Sequence, residues 1–125
     1  MKKVILIILI FISSFSYAQD ITYLRSVSFN IGEVLKDGNI NFLGENPSTV
    51  LIELQPKKVV IHSNEVQTYR TVSDVHKVED IWSWDVIDDN GIYAKFILTP
   101  IPDSNYTMVM ISYSDFAWYY VAKRD

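Results

Sequence analysis

From Ile21 to Ala122 apolar side chains recur at every second position in short runs, and turn-forming residues separate the runs. Successive side chains of a strand point to opposite faces, so a period of two marks half-buried β-strands. Ile21, Tyr23, Val27, Phe29 and Ile31 share one parity; Thr22, Ser26, Ser28 and Asn30 take the other, with Leu24 and Arg25 as exceptions. Ile40–Leu43 reads as a short strand after the Asp37-Gly38-Asn39 turn. Thr49–Gln55 and Val59–His62 form a hairpin around Pro56-Lys57-Lys58, and Val66–Val72 follows. In Ile81–Ile87, Trp82, Trp84 and Val86 lie on one face. Asp88-Asp89-Asn90-Gly91 then turns the chain into Ile92–Leu98, because Asn-Gly accepts a positive φ cheaply. Tyr106–Tyr113 and Phe116–Ala122 are the last two runs. Ser73–Asp80 reads as a loop or one helical turn, and Thr99–Asn105, with two prolines, as the longest loop. No segment carries a capped i, i+3, i+4 apolar stripe, so no long helix is expected. The expectation is an all-β antiparallel meander of about seven or eight short strands, as a curled sheet, a small barrel or a sandwich.

The first 18 residues stand apart. Lys2 and Lys3 precede the apolar run Val4–Ile12, and Ser16-Tyr17-Ala18 supplies small residues around a larger one. That order is the pattern of a cleaved secretory signal peptide, so the mature chain is expected to begin at Gln19 in the periplasm or outside the cell. The apolar run is too short for a bilayer, which takes about 20 residues, and no second span is expected in the mature chain. Residues 19–125 then form one β domain. The absence of cysteine rules out a lipoprotein anchor and disulfide stapling, so the core and the sheet ladder must hold the domain.

Loss of Lys2 and Lys3 leaves 9 of the 11 basic residues against 15 acidic ones, a formal charge of −6. A field of that sign disfavours nucleic acid and anionic membrane as partners. No serine sits in a G-x-S-x-G or S-x-x-K setting. His62 and His76 lack metal-ligand spacing, and the acidic run around Asp88-Asp89-Asn90-Gly91 lacks the spacing of a calcium loop. No catalytic residue, metal or cofactor is therefore assigned. Glu53 and Arg70 lie within strand patterns; they form either an inward pair in a cavity or two charges facing solvent.

Aromatic content is the feature with most functional weight. Phe116, Trp118 and Tyr120 share one parity of the last run, while Ala117, Tyr119 and Val121 share the other. A strand apolar on both faces needs cover on both, or else presents a contact surface. Trp82, Trp84, Phe116, Trp118, Tyr119 and Tyr120 are the candidate ligand or partner contacts.

The segments VSFNIGEV, LIELQPKKVVIHSNEVQTYRTV, WSWDVIDDNGIYAKFIL and MVMISYSDFAWYYVAKR cover most of the mature chain. In their order they resemble small uncharacterised exported all-β proteins and, more distantly, the calycin (lipocalin-like) barrels. The Gly-x-Trp signature of lipocalins is absent, so the resemblance carries over no site residue. Three functions are expected in order: a non-enzymatic binding or interaction module, a carrier of a small apolar ligand in a barrel, and a small hydrolase. An aromatic-lined cavity would favour the carrier; a flat aromatic patch, a module with a protein partner; converging His62 or carboxylates in a cleft, the hydrolase.

Overall fold

The computed structural model describes residues 21–125; the expected signal peptide and the start at Gln19 lie outside them. The elements in order are β1 (Thr22–Val34), β2 (Ile40–Phe42), β3 (Asn46–Pro47), β4 (Leu51–Gln55), β5 (Lys58–His62) and β6 (Val66–Thr71). They continue with β7 (His76–Val78), β8 (Ile81–Ile87), β9 (Tyr93–Pro100), β10 (Tyr106–Ser112) and β11 (Phe116–Arg124). The fold is all-β and every pairing is antiparallel.

β1 pairs with β4 on one side and β11 on the other, so β1-β4-β5-β6-β8-β9-β10-β11 is a closed ring. Closure removes the free edges that an open meander would expose. β2, β3 and β7 are short additions; the first two pair with β1 and the third with β8. The strands number eleven among the described residues rather than seven or eight: Ile40–Phe42 is the short strand expected there, whereas β3 and β7 fall in stretches that do not read as strands. Ser73–Asp80 is the clearest correction: His76–Val78 is a strand, turned back at Glu79, which holds a φ of 55°. Strand structure also runs through Pro100. The missing amide does no harm there, because β9 outruns β8 at Leu98 and has β10 on one side alone.

Side chains fill the middle of the ring, as expected for so narrow a barrel. Leu24, Ile52, Ile61, Tyr69, Phe96 and Ile111 are among the buried residues that meet there. β1 departs from its simple alternation. A bulge between Ser26 and Ser28 shifts its register against β11. Leu24 and Ser26 are buried before it, and Phe29 packs on the core after it, while Tyr23 and Val27 are exposed. One extra residue reverses which parity faces inward, so the single apolar parity read from sequence splits in two. Ser26 Oγ lies 2.7 Å from Ser48 Oγ and accepts from Val50 N at 2.7 Å, so hydrogen bonds satisfy this buried hydroxyl.

The far end of β1 needs a glycine. A Cβ on Gly32 would lie 2.8 Å from Asn41 O and 2.9 Å from Phe42 Cδ1. Phe42 packs edge-on to Tyr119, two strands away, at 4.9 Å between centroids. The β1–β2 hairpin thus supplies the second cover that the last strand requires.

Candidate functional site

The barrel has two ends, and they differ in chemistry. β1 starts at one end, beside the Pro56-Lys57 turn, the 72–80 excursion and the 101–105 loop. It finishes at the other, beside the turns at 63–65, 88–92 and 113–115.

At the first end β8 brings Trp82 and Trp84 inward, opposite Leu98 and Phe96 of β9. Their alternation with Ser83 and Asp85 places both indoles on the inner face. The Trp82 and Trp84 rings lie 6.3 Å apart, and Trp84 lies 5.7 Å from Phe96. With Leu54, Val59 and Leu98 these rings line a cavity of about 260 Å³. Lys77 holds its Nζ 5.2 Å from the Trp82 ring centroid, a cation–π contact at the rim. Val78 and Ile81, at the tip of the β7–β8 hairpin, are exposed beside it. This end is the apolar mouth.

At the second end Trp118 of β11 divides two clefts. One, of about 430 Å³, is lined by Glu65, Gln67, Tyr69, Asp88, Asp89 and Tyr113. The other, of about 420 Å³, is lined by Phe29, Ile31, Pro47, Val50 and Tyr120. Gln67 and Trp118 border both. Tyr113, Phe116 and Trp118 stack, with centroids 4.8 to 5.6 Å apart. Tyr69 donates to Gln67 Oε1 at 2.7 Å, and Tyr113 donates to Asp88 Oδ2 at 2.7 Å. Asp88 Oδ1 accepts from the amides of Asn90 and Ile92 at 2.9 Å, which shapes the turn where Gly91 takes its φ of 78°.

These contacts set the ionisation of this acidic mouth. Burial works to raise the Asp88 carboxyl, but the two amides and the Tyr113 hydroxyl outweigh it, and its pKa falls below the usual carboxylate value. Burial, helped by Asp88, pushes the Tyr113 phenol up to about 12. Burial drives Tyr69 higher still. The Trp118 indole acts to lower the Tyr120 phenol against the larger rise from burial. Even so, Trp118 Nε1 is enclosed with no acceptor at hydrogen-bond geometry among the described residues.

The six aromatic candidates therefore fall in three places. Trp82 and Trp84 line the apolar mouth, while Phe116, Trp118 and Tyr120 belong to the acidic mouth. Tyr119 points outward, where its hydroxyl donates to Glu45 at 3.1 Å and accepts from Asn30 Nδ2 at 3.2 Å. Gln67, Tyr69, Asp88 and Tyr113 escaped the candidate set because their sequence context marks strand and turn, and only ring closure brings them together.

Glu53 and Arg70 do not pair: Glu53 faces Val60 in the β4–β5 ladder, and Arg70 faces Lys58 in the β5–β6 ladder. Glu53 instead holds His62 Nε2 at 2.6 Å on the outer wall and accepts from Gln55 at 3.0 Å. The His62 hydrogen bond is the main cause that lowers the Glu53 pKa. No cluster of three or more His, Cys, Asp or Glu side chains placed to hold a metal ion occurs among the described residues.

No family model matches the chain, no curated protein matches it, and no solved structure matches it.

Proposed function

We propose that this chain is a non-enzymatic, exported binding module that holds a small, largely apolar ligand at its apolar mouth. The observation that carries this reading is the cavity walled by Trp82, Trp84, Phe96, Leu54, Val59 and Leu98. Ligand sites are concave and mostly apolar, with a few polar groups at the rim. Here rings and aliphatic chains make up most of the wall, Thr22, Gln55 and Thr71 add polar groups, and Lys77 packs on the Trp82 ring. A cavity of about 260 Å³ is below the range of drug-sized pockets, so the occupant is small or leaves part of itself outside. The closed eight-strand ring supports the same reading, since small closed barrels have room for at most one small ligand.

Naphthalene is a suitable probe, followed by quenching of tryptophan fluorescence and by shifts of the Trp82 and Trp84 indole resonances. Saturable binding is expected, and Trp82→Ala should weaken it about tenfold, the equivalent of about 1.4 kcal/mol. No saturable binding, or equal binding by the variant, would overturn the proposal and leave a protein partner as the remaining reading of the exposed aromatics. Export is tested separately: secreted material should begin at Gln19, whereas a membrane-embedded chain still carrying Met1 would refute it.

A further inference from the structure

We infer that the acidic mouth is a second binding site, for an organic ammonium ion joined to an apolar group. The apolar cleft of Phe29, Ile31, Pro47, Val50 and Tyr120 adjoins the acidic cleft, and Trp118 and Gln67 line both. One ligand can therefore lie across Trp118 with a different part in each.

Charge complementarity selects the occupant. Glu65, Asp88 and Asp89 line the acidic cleft, and Asp115 borders the adjoining hollow with Phe116. Among the described residues, no lysine, arginine or histidine lines any of these clefts. Asp88 is locked in its charged form by donors from the protein itself, which leaves Asp89 and Glu65 as the carboxylates facing solvent. Asp89 accepts one amide, from Thr68, at 3.3 Å.

The walls narrow the choice further. These carboxylates do not converge as a metal site among the described residues, so a compact divalent ion has no ligand set. A protonated amine spreads its charge over N–H or C–H groups and is stabilised by ring faces as well as carboxylates. Tyr69, Tyr113 and Trp118 supply rings on the acidic side; Phe29 and Tyr120 take the apolar part.

The test compares three probes of similar shape: 2-phenylethylammonium, 2-phenylethanol and 3-phenylpropionate. Binding is followed by calorimetry and by the Trp118 indole resonance in the full chain. The ammonium ion should bind at least about tenfold more tightly than the alcohol, and the carboxylate should be weakest. Glu65→Gln/Asp89→Asn, at two exposed positions that leave Asp88 and its turn intact, should abolish that preference. It should also remove most of the salt dependence of binding. Trp82→Ala, at the other mouth, should leave ammonium binding unchanged, which separates this site from the apolar one. Equal affinity for the three probes, or an ammonium preference that survives in the double variant, would overturn the inference.

Discussion

The two mouths of this barrel are built from the same alternation of inward and outward side chains, yet their linings differ in polarity. At the apolar mouth Trp82, Trp84 and Phe96 lean on one another, and among the described residues no carboxylate lines the cavity. At the acidic mouth rings of similar size are tied by hydroxyls to Gln67 and Asp88. The difference comes from the turns. The hairpin at the acidic end needs an Asp-Asn-Gly turn to reverse direction, and that turn places a carboxylate over the barrel opening. The apolar end is turned by Pro56-Lys57 and by the β7–β8 hairpin, so its polar groups stay at the rim.

The largest expected effect falls on the core beneath the apolar mouth. Phe96 is 1% exposed and floors the apolar cavity. Phe96→Ala should destabilise the domain by about 3–5 kcal/mol, read as a fall in the denaturation midpoint. A small loss would mean that the core beneath this mouth is loosely packed.

Alkaline pH should act next, and through the acidic mouth. Tyr113, raised to about 12, and Tyr69, raised further, stay protonated in the folded state beyond the pH at which the unfolded chain ionises them, about 10. Their contribution is complete below about pH 10 and is lost as pH climbs towards the folded values. Absorbance at the phenolate band should show these two tyrosines ionising only as the domain unfolds. Early, reversible ionisation of every tyrosine would show the acidic mouth to be open to water.

A smaller effect is expected at Gly32, which underlies the outer cover of β1 and β11. Gly32→Ala should cost about 1–3 kcal/mol, since the added carbon meets backbone at Asn41 as well as the Phe42 ring. An unchanged midpoint would mean that the β1–β2 hairpin can lift away. Least of all should be the stability change in Trp82→Ala. Its side chain is 41% exposed, so the loss should stay within about 1 kcal/mol while apolar-probe binding suffers. A loss as large as that of Phe96→Ala would make the indole part of the core instead of a wall open to ligand.

How much was legible beforehand differs from strand to strand. β8 is legible in extent and facing, because Trp82, Trp84 and Val86 alternate without interruption and a clear turn follows. β1 was read as one parity because a bulge leaves no mark when serines lie on both sides of it. β7 reads as a loop or one helical turn because its three residues are all exposed, and exposed strands carry no apolar period. The candidate aromatics were legible as a group, but their division between two mouths and an outer wall was not.

What this sequence determined by itself is local: strands from the period of two, hairpins from Asp-Asn-Gly and Pro-Lys-Lys, and an acidic, cysteine-free domain. Such features depend on neighbours within a few residues, where backbone sterics and side-chain alternation act directly. Tertiary structure alone decided that β1 meets β11, that Phe42 reaches Tyr119 across Gly32, and that Glu65, Asp88 and Trp118 share one mouth. Those meetings join residues far apart in the chain. They depend on closure of the ring, which pairs the first strand with the last so that neither keeps an unpaired edge.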